Sequence, residues 1–135
     1  MAALVYPAGK AAVMNGGIDL DTSDIRVQPV QATYTASVAH ANLSDVPAGQ
    51  RTGTAVALAS KTIITPTNPN ANARALDAAD TSLGTLAAAG NALVIYLHTG
   101  TESTSTLLCY IDGISWTAGQ SVTAQWSADG IFYLN

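Results

Sequence analysis

The chain has 135 residues and a formal net charge of -4, and 48% of its residues are hydrophobic whereas only 10% are charged. This length suits one domain with a single core, and a chain so poor in charge buries enough apolar surface to fold. The five basic residues are scattered along an acidic chain, which argues against direct binding to nucleic acid or to an anionic membrane. No apolar run approaches the ~20 residues that cross a bilayer. We therefore predict a single β-rich domain over residues 1–135.

The N-terminal third predicts two short helices on either side of one strand. Residues 8–15 contain helix-forming side chains and end at an Asn-Gly-Gly run, which favours helix termination. Residues 25–28 alternate apolar and polar side chains, as in a half-buried strand. Pro29 follows and predicts an edge position or a bulge, because proline cannot donate to a sheet ladder. Residues 37–46 are expected to form the second helix.

The middle of the chain predicts extended segments separated by loops. Residues 54–65 have the character of one long strand, and residues 66–72 are rich in Pro and Asn, which favour turns. Residues 73–77 predict a brief strand, and residues 80–82 predict a polar turn after it.

The C-terminal half predicts the centre of the core. Residues 91–98 and 106–112 are apolar on both faces, so we expect a central hairpin across the hydroxyl-rich loop 99–105. Residues 121–127 alternate, and the Asp-Gly pair at 129–130 predicts a tight turn from that strand into a last one. About seven strands with one or two short helices in the N-terminal half indicate a mainly β fold, a β-sandwich or a jelly-roll-like domain.

No local pattern indicates an enzyme. Cys109, the single cysteine, lies in an apolar run and is expected to be a buried thiol. The aspartates of residues 19–24 predict a turn, because the glycine and glutamate positions of an EF-hand loop hold other residues here. A hydrolase would have to use His40 or His98, and neither lies in a known hydrolase or metal-binding motif. We predict no catalytic residue, no cofactor and no metal.

Low charge is the most informative property of the surface. Ala, Thr and Ser side chains cost little free energy to desolvate, and protein interfaces are depleted of charged residues at their centres. The composition therefore favours a subunit that other copies or a shell cover over a large area. Leu4, Val5 and Tyr6 are expected to form either an N-terminal arm within residues 1–9, laid on a neighbour, or the first strand of the domain.

Two aromatic residues are less constrained by the strand pattern than the others. Trp116 and Tyr133 are candidates for exposed side chains, and either could be an interface anchor or a surface on which a sugar stacks. With Leu4, Val5 and Tyr6, they make up the predicted assembly contacts.

Several segments match a known pattern in order and spacing. They read IDLDTSDIRV at 18–27, HANLSDV at 40–46, ALVIY at 92–96 with TGT at 99–101, LLCYID at 107–112 and QWSADGIF at 125–132. Together they resemble a family of small structural proteins of tailed-bacteriophage virions, from about residue 10 to the end of the chain. The chain departs from the family at residues 51–54, where the family often has a Gly-Tyr-rich segment, so no contact residue is transferred.

The resemblance implies a non-enzymatic virion protein, foremost a capsid decoration or cement protein on the capsid exterior. Such a protein would be synthesised in the host cytoplasm, bind and stabilise the shell of major capsid protein, and form a homo-oligomer, either a dimer or a trimer. Two alternatives stay open. One is a tail, neck or baseplate component, and the other is a carbohydrate-binding module on the virion surface that uses Trp116.

Overall fold

The computed structural model describes residues 2–134 and has a mainly β, sandwich-like architecture of three antiparallel sheets. This confirms the predicted fold class, with ten strands where about seven were expected. The strands are β1 (Leu4–Val5), β2 (Ile25–Val30), β3 (Val56–Ala57), β4 (Thr62–Ile64), β5 (Arg74–Asp77), β6 (Thr81–Leu86), β7 (Ala92–Leu97), β8 (Leu107–Ile111), β9 (Gln120–Ala124) and β10 (Phe132–Leu134). One α-helix, α1 (Pro7–Met14), confirms the first predicted helix, and short 3₁₀ helices span Leu43–Asp45, Ala48–Gln50 and Glu102–Thr104.

The largest sheet has five strands in the order β1-β8-β7-β2-β3 and is covered on both faces. Along β7, Leu93 and Ile95 belong to one apolar cluster, whereas Val94 and Tyr96 belong to another. Successive side chains of a strand point to opposite faces, so the two clusters lie on opposite sides of this sheet. The predicted hairpin of two-sided apolar strands is therefore confirmed in β7 and β8.

The two smaller sheets cover one face of the large sheet. They have the orders β10-β5-β4 and β6-β9. Leu76 from β5, Leu86 from β6 and Phe132 from β10 are buried in the same cluster as Ile95 of β7. Burial of these side chains between the sheets is the main source of hydrophobic stabilisation.

Strand β2 corrects the prediction made from Pro29. The strand is internal, and its register with β7 continues without a bulge along its whole length. The carbonyl of Pro29 accepts a hydrogen bond from the N–H of Thr52, so the backbone of Pro29 faces away from β7 and no ladder donor to β7 is lost. Both faces of β2 are buried, with Val27 in one apolar cluster and Val30 in the other.

The predicted long strand 54–65 and the predicted second helix 37–46 are both wrong. The chain turns at Ser60, where φ is 54°, so that β3 pairs in the large sheet and β4 pairs in a different one. Of the second helix only the 3₁₀ turn Leu43–Asp45 forms. The Asp45 carboxylate accepts hydrogen bonds from the N–H groups of Ala41 and Asn42, and these local bonds compete with helix formation.

The C-terminal pairings also differ from those predicted. Residues 80–82 are not a turn, because β6 begins at Thr81 and pairs with β9. The turn at 129–130 forms, with φ of 90° at Gly130, but β10 then pairs with β5 rather than with β9. The N–H of Ile131 donates to the carbonyl of Leu76, and the side chain of Ile131 is buried in the core. Strand β10 is therefore positioned by a long-range contact.

Candidate functional site

The structure places the N-terminal candidate residues inside the domain rather than on a free arm. Leu4 and Val5 form β1, in which Leu4 is opposite Tyr110 of β8. Tyr6 is fully buried, and its hydroxyl hydrogen-bonds to that of Tyr34 at 2.8 Å. Tyr6 is therefore not an accessible contact residue. Residues 4–5 form the first strand of the domain rather than an arm. Met1 lies outside the described residues.

Trp116 is also buried, which corrects its assignment as an exposed aromatic residue. Only 5% of its surface is exposed, and its indole N–H donates to the carbonyl of Ala88 at 2.9 Å. The ring packs directly over Gly90, where any side chain would overlap with it. Trp116 therefore serves as core filling and cannot provide a stacking surface for a sugar in this fold.

The other three candidates meet at one groove of about 600 Å³. Leu4 and Val5 line it from β1, Tyr133 lines it from β10, and Lys10 and Met14 border it from α1. Among residues 2–134, β1 and β10 are the outermost strands of their sheets, so the groove lies between two strand edges.

A second groove of about 450 Å³ adjoins the first and shares its Phe132 and Leu134. Its lining is mostly apolar and includes Val13, Ile18 and Ile63. We refer to the two grooves together as the β10 face.

Two of the three large hydrophobic residues that are clearly exposed in the described chain border the β10 face. Met14 is 84% exposed and Ile63 is 45% exposed. The charged side chains that line the grooves are Lys10, Asp19 and Arg74. Sequence reasoning missed Met14 and Ile63, because only the packing of α1 and of β4 shows which of their apolar side chains remain exposed. The face can make an apolar contact with another protein surface.

A separate polar cleft of about 310 Å³ lies over the second face of the large sheet. Its floor contains Arg26 and Gln28 from β2, Tyr96 from β7, and His98, which follows the end of β7. Arg26 and Tyr96 are directly opposite each other in the β2–β7 ladder. Its walls come from the segment before β3 and from the loop between β7 and β8, and include Leu43, Arg51, Thr54, Ala55, Gly100, Thr101, Glu102 and Ser105.

Two ion pairs border this polar cleft. Arg26 binds the carboxylate of Asp24 through two nitrogens, at 3.1 and 3.0 Å, and Arg51 pairs with Glu102. Each arginine lowers the pKa of the carboxyl group that it contacts. Both acids are therefore ionised at neutral pH, and the charges of the two pairs cancel.

Two polar side chains of the cleft, Tyr96 and Gln28, are mostly buried, and among residues 2–134 no buried side-chain nitrogen or oxygen atom lacks a hydrogen-bond partner. Tyr96 is 2% exposed, and its hydroxyl, which makes no hydrogen bond to another described residue, keeps contact with solvent. Gln28 donates from its amide nitrogen to the carbonyls of Pro29 and Thr52, and its Oε1 accepts no bond from the described chain. Burial raises the pKa of Tyr96, although the charge of Arg26 acts in the opposite direction.

The residues considered for catalysis and metal binding are separated. The Nδ1 atom of His40 hydrogen-bonds to the Tyr34 hydroxyl at 3.0 Å, whereas His98 lines the polar cleft. Cys109 is fully buried, and this burial raises the pKa of its thiol. In the part of the chain that the structure describes, no three His, Cys, Asp or Glu residues form a group that could hold a metal ion.

No helix within residues 2–134 is long and apolar enough to span a membrane. Comparison of the chain with protein-family models, with curated proteins and with solved structures finds no match. Function must therefore be inferred from the apolar β10 face and from the polar cleft.

Proposed function

We propose that the chain is a non-enzymatic structural protein of a tailed-phage virion, a decoration protein that binds the shell of major capsid protein from outside. The observation that supports an assembly role is the β10 face, which has one mostly apolar groove and the exposed side chains of Met14 and Ile63, on a chain with only 10% charged residues. Exposed apolar patches of this kind mark surfaces at which proteins associate. The location on the capsid comes from the sequence resemblance.

The carboxyl groups beside the polar cleft support a binding role over catalysis. A hydrolase of the two-carboxylate type needs one acid with a raised pKa, so that it can donate a proton at neutral pH. Asp24 and Glu102 have lowered pKa values because each contacts an arginine. Neither carboxyl group is suited to act as such a proton donor.

The partner that we assign to the β10 face is a second copy of this chain. The exposed side chain of Met14 borders the groove between β1 and β10, and the mostly apolar second groove adjoins that groove at Phe132 and Leu134. One copy can therefore place Met14 in the second groove of the other and receive the same contact in return. Such self-complementarity is the requirement of a two-fold dimer interface. Lys10, Arg74 and Asp19 supply both signs of charge in the grooves, which allows ion pairs between the copies.

A dimer would stabilise the shell by binding it at two places. Linking two binding sites makes the second binding event intramolecular, so modest contacts with the shell give a stable attachment. The outward pressure of packaged DNA is then shared by bridged capsid subunits.

The dimer is tested with substitutions on the β10 face. Met14→Glu combined with Ile63→Glu should convert the dimer to a monomer in analytical ultracentrifugation, because two carboxylates would be buried without partners. Val38→Glu is the matched control, since Val38 is 65% exposed but lines neither groove. A wild-type protein that stays monomeric at high concentration would contradict the assigned partner.

Binding to the shell is tested with particles of the phage that encodes the chain. Wild-type protein should co-sediment with assembled capsids that lack it, and cryo-electron microscopy should place it on the capsid exterior. The variant with Met14→Glu and Ile63→Glu should show lower occupancy than Val38→Glu. Recovery of the protein only with tails, necks or baseplates would replace decoration by the alternative structural role.

A further inference from the structure

We propose that Asn15 is a site of covalent modification, at which attack by the next backbone nitrogen converts the side-chain amide to a carboxylate. The conversion adds a negative charge at the β10 face, since Met14 borders the first groove and Gly16 lines the second. The modification is independent of the proposed function, whereas its effect on the contact between two copies rests on that function.

The end of α1 requires a glycine directly after Asn15. Gly16 has φ of 81°, in the left-handed region that residues with a Cβ rarely adopt. Its N–H donates to the carbonyl of Val13 at 3.3 Å. The N–H of Gly17 donates to the carbonyl of Ala12 at 2.8 Å, and the two bonds together form the Schellman pattern of a helix C-terminus. Asn15 is thereby the one asparagine of the sequence that glycine follows.

The reaction closes a five-membered ring between the side chain of Asn15 and the backbone. The backbone nitrogen of Gly16 loses its proton to a base in solution and attacks Cγ of Asn15. A bond forms between that nitrogen and Cγ, and the bond from Cγ to the side-chain nitrogen breaks. The side-chain nitrogen leaves as ammonia with a proton returned by the base. Water then opens the ring at either carbonyl carbon and restores the N–H group, which gives aspartate or isoaspartate.

The surroundings of Asn15 favour this attack. Asn15 and Gly16 are both exposed, and a Cβ atom added to Gly16 would have no neighbour among residues 2–134 within 4 Å, so base and water reach the pair. The N–H of Gly17 donates to Oδ1 of Asn15 at 3.0 Å. A donor at this oxygen stabilises the negative charge that develops on it when Cγ is attacked.

The folded conformation limits the rate through one backbone rotation. At Asn15 ψ is 5°, which places the nitrogen of Gly16 beside the nitrogen of Asn15 rather than beside Cβ, so the last turn of α1 must open before the ring closes. Opening breaks the 3.3 Å bond between Gly16 and Val13. The exposed end of a helix opens at a small cost in free energy, because water replaces the lost bonds. We therefore expect the conversion to proceed in the folded protein.

Asn70 provides a matched reference within the same chain. It is exposed like Asn15, and its Oδ1 also accepts a hydrogen bond from the N–H two residues later, that of Asn72, at 2.9 Å. The residue after Asn70 is Ala71, whose Cβ hinders the approach of the backbone nitrogen to Cγ. Comparison of the two sites therefore isolates the contribution of the following glycine.

The new carboxylate opposes contact between two copies. It lies at the C-terminal end of α1, where the helix dipole is already negative, and Asp19 lines the same groove as Gly16. Arg74, the cation of that groove, already donates to the carbonyls of Ala71 and Ala73. In a two-fold dimer each copy contributes one new charge, and carboxylates that are covered without partners destabilise the contact.

The modification is tested by incubating the full-length protein in mildly alkaline buffer and mapping its peptides by mass spectrometry. We expect the peptide with Asn15 to gain about 1 Da, at a rate at least about tenfold above that of the peptide with Asn70, because glycine has no Cβ to hinder ring closure. Isoaspartate should be present in the product, since direct hydrolysis of the side chain yields aspartate alone. Equal rates at the two sites would overturn the proposal, as would a product without isoaspartate.

Asn15→Asp tests the effect on the contact between copies. In analytical ultracentrifugation, the dissociation constant of its dimer should be about tenfold above that of the wild type, because like charges are brought together. Asn70→Asp is the matched control, since it adds the same charge at a residue that lines neither groove. An unchanged dissociation constant in Asn15→Asp would overturn this effect. The peptide map reads the conversion from each single chain, so failure of the dimer and failure of the modification are distinguishable.

Discussion

Arg51 and Glu102, which are 51 positions apart in the chain, form an ion pair that closes one side of the polar cleft. The same guanidinium donates to the carbonyls of Leu43 and Val46, at 2.8 and 2.6 Å. One side chain thus connects the irregular segment before β3 to the loop between β7 and β8. The side chain of Arg51 is 12% exposed and that of Glu102 is 55% exposed, so the bonds to the carbonyls are shielded from water more than the carboxylate is.

We therefore expect Arg51→Met to lower the free energy of unfolding by about 1–3 kcal/mol, because it leaves the carbonyl of Val46 without a donor. The carbonyl of Leu43 would keep only its bond from the N–H of Val46. Glu102→Gln should cost less than about 1 kcal/mol, as is usual for an exposed ion pair. Urea denaturation measures both values. Equal losses in the two variants would show that the ion pair, rather than the carbonyl contacts, supplies the stabilisation.

Asp45 predicts a stability change at acid pH. Hydrogen bonds from the N–H groups of Ala41 and Asn42, at 2.8 and 3.1 Å, lower the pKa of its carboxyl group. Because the folded-state pKa is below the unfolded one of about 4, this stabilisation is fully present above that pH. It is lost as the pH falls through the folded-state pKa.

Asp45→Asn should therefore melt below the wild type at neutral pH, and the difference should shrink as the solution is acidified below the folded-state pKa. Melting temperatures recorded across this range by circular dichroism provide the test. A difference that stays constant with pH would mean that the carboxylate charge contributes nothing.

Gly9 lies inside α1, where alanine would normally be the better residue by ~1 kcal/mol. A Cβ atom at this position would lie 2.5 Å from the carbonyl oxygen of Leu107 and 2.9 Å from Cα of Leu108, which is backbone that cannot move away easily. We expect Gly9→Ala to destabilise the protein by about 1–3 kcal/mol. In Gly49→Ala, no heavy atom lies within 4 Å of the added Cβ, so this control should be neutral or gain up to about 1 kcal/mol. Thermal denaturation of both variants distinguishes helix propensity from the contact with β8, and a stabilised Gly9→Ala would be incompatible with that contact.

The hydrogen bonds that link the hydroxyls of Tyr6 and Tyr34 to the imidazole of His40 predict unequal effects of two similar substitutions. Tyr34→Phe removes the partner that the fully buried Tyr6 hydroxyl has within residues 2–134, so it should cost about 2 kcal/mol. Tyr6→Phe leaves Tyr34 hydrogen-bonded to His40 and should cost about 1 kcal/mol. In a double-mutant cycle measured by urea unfolding, Tyr6→Phe should cost less in the Tyr34→Phe background. Strictly additive losses would argue against the pairing of the two hydroxyls.

Local sequence patterns determined the elements whose structure depends on near neighbours. The helix before the Asn-Gly-Gly run, the two-sided apolar strands β7 and β8, and the turn at Gly130 follow from periodicity and from backbone preferences within a few residues. The burial of Cys109 followed from its apolar run for the same reason. The mainly β class is the sum of such local preferences.

Tertiary contacts decided everything that depends on which distant segments meet. Strand β10 pairs with β5 because its buried side chains complete the core there, and Trp116 is buried because Gly90 leaves room for its ring. Both candidate surfaces have the same origin. Leu4 and Tyr133 share a groove, and Arg26 lies opposite Tyr96, only because strands from separate parts of the chain come together. A linear sequence specifies the preference of each segment, but the energy of burial, which is gained only when segments meet, selects their partners.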